Sequence, residues 1–414
     1  MKVLEFCYRA QGGHHNMENL RKDEFYFKHR APIAPLKIIA MDNCRPLVEA
    51  AEQYIIQLRK EYLAKYADLD PTVLTREYDR ERYLAEVECP RFGSGEAKGN
   101  IKESVRGCDL FIVSDVTNNS MTFKINGRTH YMSPDDHYQD LKRIVAAAMS
   151  SAHRISVIMP FLYQSRQHKR VNRESLDCAI ALQELSDMGV ANIVTFDAHD
   201  PCVQNAIPLH DFDSYSPVFH FMRSIRDKFG LDFLDRSKLV IVSPDEGAMS
   251  RAVYLANNMG VEMGMFYKRR DYTRIENGVN PVVSQEYIGT DVEGKTVIIM
   301  DDIISTGVSI LDTAREMHRR KAAHIVICCT FGLFVRGFAN FDNAYEEGIF
   351  DYIITTNLTY RSEEMLAKPW YVGVDMSQYI GKIIDTMNHN IAVTSVISPT
   401  SRLLELVKET QEAE

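Results

Sequence analysis

Short apolar runs rich in Val and Ile recur along this chain, separated by helical patterns, and they constrain its fold more than any other feature. They span 36–41, 109–116, 154–160, 192–199, 238–245, 261–268, 296–302, 324–332 and 351–356. Continuous runs of this kind, without polar alternation, suit parallel strands buried on both faces. Helical stretches lie between them. Ser133-Pro134-Asp135-Asp136 is a start signal leading into Asp140-Leu141-Lys142-Arg143-Ile144-Val145. A second helix begins near Ser309 and ends in the basic His318-Arg319-Arg320-Lys321, which suits the negative end of a helix dipole. Alternating strands and helices imply doubly wound α/β sheets.

A chain of 414 residues is long for one core and suits two such domains. The segment Ile207–Asp213 is the expected boundary, near residue 210. This gives an N-terminal extension over 1–35, a first domain over 36–210 and a second over 211–414, with the last segment able to return to the first. Residues 1–35 and 60–90 are charged and less periodic and are expected to be extra surface elements.

The net charge of −9 argues against a broad nucleic-acid or anionic-membrane surface, though local basic loops can still bind phosphate. The eight cysteines show no metal-ligand spacing, so reduced structural thiols and a cytoplasmic location are expected. The first thirty residues lack the apolar core of a signal peptide, and no run approaches a membrane span. His14 and His15 have no other ligand spaced around them and read as part of a polar leader.

The richest chemical signal is Val297–Ser309, VIIMDDIISTGVS. A buried strand runs into the acids Asp301 and Asp302. Two hydroxyls and a glycine follow, then a helix. Backbone N–H groups at a helix start, with the hydroxyls of Ser305, Thr306 and Ser309, can wrap a phosphate monoester. Gly307 lets the backbone approach closely. The plain alternative is an acidic strand end capped by Ser305 or Thr306.

This string resembles the phosphoribosyl pyrophosphate loop of phosphoribosyltransferases and ribose-phosphate pyrophosphokinases. Four further segments, in the same order as in the pyrophosphokinases, are similar to that branch: Glu103–Val113, Met159–Arg170, Thr195–Pro208 and Ser243–Arg251, with insertions near 60–90 and 115–135. The resemblance implies two phosphoribosyltransferase-like domains, each a mostly parallel sheet flanked by helices, with ATP and ribose 5-phosphate meeting between them. It implies transfer of the β,γ-diphosphoryl group of ATP to O1 of ribose 5-phosphate, Mg2+ or Mn2+ as the cofactor, and self-association into dimers or higher oligomers.

Site roles come from the same resemblance. Asp301 and Asp302 would take the ribose hydroxyls, and Ser305, Thr306, Gly307, Val308 and Ser309 the 5-phosphate. Arg166 and Gln167 would contact ATP, although His168 stands where many relatives carry an acid. Phe92 and Glu96 would hold adenine, partly across a subunit boundary. His199 and Asp245 would serve the metal, and His199 also the ATP phosphates. Lys268 and Arg270 would close over the phosphates from a long polar loop ending near Gly294, with Arg269 between them facing away. Two rivals remain: a phosphoribosyltransferase, which would not need Arg166, Gln167, Lys268 or Arg270, and a non-catalytic regulatory subunit. A larger ribosyl 5-phosphate acceptor is a further option.

Overall fold

A computed structural model describes residues 32–66, 78–270, 282–393 and 399–413. Two main sheets account for its architecture. The first contains β1 (Leu36–Ala40), β4 (Asp109–Val113), β7 (Arg154–Ile158), β8 (Asn192–Phe196) and β9 (Asp211–Tyr215), in that spatial order and all parallel. Between β1 and β4 lies a ribbon of β2 (Val87–Glu88) and β3 (Asn100–Ile101), and after β4 a separate hairpin of β5 (Thr122–Ile125) and β6 (Arg128–Tyr131). The second sheet runs β12 (Val282–Gly289), β11 (Glu262–Arg270), β10 (Leu239–Ser243), β13 (Thr296–Ile304), β14 (His324–Gly332), β15 (Tyr352–Thr356), β16 (Tyr371–Val374). All its pairings are parallel except that of β11 with β12.

The apolar runs fall on these strands because only a two-sided core can accept them. Every residue of β4, β8 and β10 is buried. Helices cover the faces, and their starts reflect local chemistry. Ser133 caps the helix Pro134–Ala148 through a reciprocal capping box with Asp136, and Pro134 occupies its first turn, where a missing N–H costs nothing. The helix Val308–Arg319 ends in His318 and Arg319 as its sequence implied.

Three expectations change. β9 pairs along its length with β8, so the first sheet extends past residue 210 to Tyr215. Residues 60–90 are not merely superficial. The helix Arg45–Tyr66 runs into them, Tyr78 and Tyr83 are buried, and Tyr78 hydrogen-bonds His389. The polar stretch after β11 is not irregular throughout, since β12 folds back antiparallel on β11.

A late helix packs back on the first domain, whereas the last one, Pro399–Ala413, packs on the helices Val218–Phe229 and Met249–Met259. Helix Ser377–Asn388 lies so close to Arg45–Tyr66 that a Cβ on Gly381 would sit 2.8 Å from the Ala51 carbonyl. The fully buried Arg59 donates to Asp385 at 2.7 Å and to Asn388 at 2.7 Å. Asn388 in turn donates to Asp109 at 2.9 Å, and Asp109 is held by Arg154 at 2.8 Å. Among the described residues no helix is long and apolar enough to cross a membrane.

Candidate functional site

Both main sheets send the carboxyl ends of their strands to a common region, the usual position for ligands in parallel α/β sheets. β8 delivers Asp197, Ala198 and His199, and β13 delivers Asp301 and Asp302. β13 does not stop at the two acids as expected. It continues to Ile304, pairing Asp301 with Cys329 and Ile304 with Gly332 of β14.

The two sheets are tied together here by polar side chains. His199 Nδ1 lies 2.6 Å from Asp302 Oδ2. Arg251 donates to Asp197 Oδ1 at 2.5 Å and to the Ala198 carbonyl at 3.0 Å, and stands 3.5 Å from Asp302. Thr330 of β14 donates to the other oxygen of Asp197 at 2.6 Å. Asp197 has a left-handed backbone, with φ of 42°, which turns the chain sharply at the end of β8 so that His199 can face β13. Arg251 ends one of the family-like segments, yet nothing in its local sequence assigns it a role. It proves to be the cation that pairs with an acid from each sheet.

The acids of β13 are electrostatically divided. Burial, then the neighbouring charges of Asp302 and Asp245, push the Asp301 carboxyl well above the usual range. Burial also acts against ionised Asp302, but the His199 hydrogen bond and the Arg251 charge outweigh it and hold that carboxyl below its ordinary value. One acid is therefore fixed as an anion by its partners. The other retains repulsion that a cation or sugar hydroxyl would relieve.

The segment after β13 is shaped for close approach. Gly307 has φ of 80°, and a Cβ there would overlap the Phe341 ring, so both conformation and space call for glycine. Gly307 is itself the N-cap of the helix beginning at Val308, with no side-chain capping bond. Ser305 and Thr306 are half-buried, while Val308 and Ser309 are exposed at the helix start. The capping explanation for the hydroxyls of Ser305 and Thr306 is thus not what the fold uses.

Asp245 lies just after β10. Its Oδ1 accepts the Gly247 and Ala248 N–H groups at 3.0 and 3.2 Å, and its charge reaches Asp301. Arg166 is exposed in the segment after β7. Gln167 donates its side-chain amide to the Ser175 carbonyl at 2.9 Å. His168 stands 3.4 Å from Asp200, with its ring 5.3 Å from that of His199. A histidine in place of the acid thus finds its own carboxylate partner beside the cluster.

Phe92 is 54% exposed at a turn in which its N–H donates to the Glu96 carbonyl at 2.7 Å. Glu96 is exposed and accepts from Ser94 at 3.0 Å. Neither belongs to the His199–Asp302 cluster. Lys268 and Arg270 lie on β11, opposite Gln285 and Val282 of β12, but their side chains and residues 271–281 lie outside the described residues. The register of the pairing shifts between Arg269 and Arg270.

Comparison with known proteins gives a consistent result. Residues 36–189 match the N-terminal domain of ribose phosphate pyrophosphokinase, and residues 218–344 match the phosphoribosyl transferase domain. A ribose-phosphate pyrophosphokinase of Bacillus cereus is 30% identical over 251 residues, covering 60% of this chain and 70% of the relative. One from Clostridium perfringens is 30% identical over 258 residues, covering 60% and 71%. The phosphoribosylpyrophosphate synthetase of Mycobacterium smegmatis superposes with a TM-score of 0.65 at 22% identity, covering 86% of this chain and 99% of that one.

Proposed function

This chain belongs to the ribose-phosphate pyrophosphokinase family, and from that premise we propose that it transfers the diphosphoryl group of ATP to the anomeric hydroxyl of ribose 5-phosphate. The products are phosphoribosyl pyrophosphate and AMP. The observation that carries the reading is the meeting of His199 with Asp302, where the two sheets' strand ends close on one another beside the Ser305–Ser309 loop.

The ribose side is assigned to the second sheet. Asp301 and Asp302 take the sugar hydroxyls, and Ser305, Thr306 and Ser309, with the backbone N–H groups from Gly307 onward, take the 5-phosphate. The nucleotide side is assigned to the first sheet, with Arg166 and Gln167 for the phosphates and Phe92 and Glu96 for adenine. The exposure of Phe92 suits an adenine completed by a second copy of the chain, and self-association is part of the proposal, as is a cytoplasmic setting.

In-line attack of O1 on the β-phosphorus requires alignment and charge neutralisation rather than a covalent nucleophile. Lys268 and Arg270 neutralise charge as it develops, and Arg166 holds the nucleotide. Mg2+ or Mn2+ fits the donors present: Asp245 and Asp301 repel one another, and His199 keeps one ring nitrogen after its bond to Asp302. Among the described residues no three His, Cys, Asp or Glu side chains enclose an ion. His199 and Asp245 would hold an ion that keeps most of its own water, which suits such sparse ligation, and when bound it would offset phosphate charge. The test is incubation of the full chain with MgCl2, ATP and ribose 5-phosphate, following AMP and phosphoribosyl pyrophosphate by phosphorus NMR. Absence of both products, or full turnover in excess chelator, would reject the assignment in whole or in its metal part.

A further inference from the structure

The hairpin β5–β6 fills the segment from 115 to 135 that the sequence marks only as an insertion, and it is packed directly on the Phe92–Glu96 turn. Its own construction is compact. Ile125 pairs with Arg128, leaving a two-residue connection of Asn126 and Gly127 with φ of 50° and 76°. That is the type I′ geometry that tightens a two-stranded ribbon. Phe123 and Ile125 alternate inward while Thr122 and Lys124 face solvent.

The inward face meets the Phe92 turn at three points. At the tip, the Asn126 N–H donates to the Gly93 carbonyl at 3.0 Å. In the middle, Ile125 Cδ1 lies 3.0 Å from where a Cβ on Gly95 would stand, and Gly95 has φ of 97°. At the near end, the Phe123 ring stacks on the Arg91 guanidinium at 4.9 Å. Arg91 is the residue before Phe92. Asp140, on the helix Pro134–Ala148, holds it through two hydrogen bonds of 2.7 and 2.8 Å. The side chains of Arg91 and Asp140 are 9% and 7% exposed. The turn is thus fixed to a helix at one end and covered by the hairpin along its length, while the Phe92 ring stays outside.

We propose that the Thr122–Tyr131 hairpin is a positioning element for the nucleotide: it holds the Phe92–Glu96 turn in its base-receiving shape, with Phe123 and Ile125 as its positioning residues. A turn with two glycines, Gly93 and Gly95, would otherwise sample many conformations before binding, and ordering them would weaken affinity. The hairpin removes that cost before ATP arrives. It acts on nucleotide binding alone, because the ribose contacts lie on the other sheet. The inference rests on the assignment of Phe92 to adenine.

The test compares Phe123→Ala, Phe123→Tyr, Ile125→Ala and Phe92→Ala in the full chain, with KM for each substrate, turnover number and a thermal melt. Phe123→Ala and Ile125→Ala are expected to raise KM for ATP about fivefold. KM for ribose 5-phosphate, turnover number and Tm should stay near wild type, and Phe123→Tyr should restore KM for ATP. If Phe92→Ala raises KM for ATP while Phe123→Ala and Ile125→Ala leave it unchanged, the positioning role is overturned and the adenine assignment stands. If Phe92→Ala itself has no effect, the adenine assignment fails first. A joint rise in both KM values with a lowered Tm in the hairpin variants would reduce the hairpin to general stabilisation and also overturn the proposal.

Discussion

Phe92 and Arg166 of the first domain stand exposed on turns and loops, whereas Asp302 and Gly307 of the second domain are buried in close-packed surroundings. The sheets behind them are much alike, mostly parallel with buried central strands. The difference lies beyond the strand ends. On the ribose side, the strand, the acids and the loop form one continuous stretch from Thr296 to Ser309, held by Phe341 beneath Gly307. On the nucleotide side, the candidates come from separate loops supported by unrelated elements, including an inserted hairpin. A small sugar phosphate can be met by backbone geometry fixed in advance. A longer nucleotide would have to be met by side chains reaching from several directions.

That contrast can be broken by experiment, beginning with the two cations of β11 proposed to act on the transferred phosphates. Lys268→Ala and Arg270→Ala should each lower turnover by about a hundredfold or more, the usual loss of a donor aimed at developing charge, while nucleotide affinity falls much less. Steady-state kinetics with a separate nucleotide-binding measurement decides this, and near-normal turnover in both variants would remove β11 from the catalytic apparatus. Arg269→Ala belongs in the same series. A small effect would show that the register shift beside it leaves it turned away.

Next in size is Asp302→Asn. It weakens charged hydrogen bonding to His199 and Arg251, interactions of the kind that contribute about 2 kcal/mol. The expected result is a fall of about thirtyfold in kcat/KM for ribose 5-phosphate with a lowered Tm. Unchanged constants for that substrate would end the placement of the sugar at β13. Phe92→Ala should be milder, because it removes one stacking surface. KM for ATP should rise about tenfold, in line with stacking of a base on an aromatic ring, with Tm unaltered because the ring is exposed. An equal effect on both substrates would erase the division between the two sides.

The smallest effect concerns stability and pH. The Asp301 carboxyl is held well above its usual range. Its contribution to stability is therefore complete below the ordinary carboxylate range and is lost as pH rises through the raised value. Asp302 is held below its usual range, so its contribution is present above ordinary carboxylate pH and is lost as pH falls through the lowered value. Asp301→Asn, which imitates the protonated acid, should raise the Tm of the ligand-free protein at neutral pH by about 2 °C while impairing ribose 5-phosphate use. Melts from acidic to neutral pH check both signs. A lower Tm at neutral pH would mean that ionised Asp301 supports the fold, against this arrangement of charges.

The apolar runs of 192–199, 238–245 and 296–302 were legible as strands because burial on both faces leaves a periodicity that no other structure needs. β9, β12 and β16 were not. Asp211–Tyr215 is polar in its sequence and lies at the sheet edge, where one-sided pairing makes no demand for continuous Val and Ile. The hairpin was passed over although Asn126-Gly127 between alternating residues is a known turn signature, since its polar outer strand has no buried face to betray it.

The amino-acid sequence by itself determined the two-sheet α/β plan and marked the stretch Val297–Ser309, because a strand, two acids, hydroxyls and a glycine stand there in local order. Only the tertiary structure decided which residues meet across the chain. Arg251 with Asp197, His199 with Asp302, and the hairpin with the Phe92 turn are separated by 54, 103 and about thirty positions. No local pattern encodes such pairings, since each partner satisfies its own backbone rules independently. They arise when packing of distant segments removes water from polar groups and leaves them to be satisfied by one another.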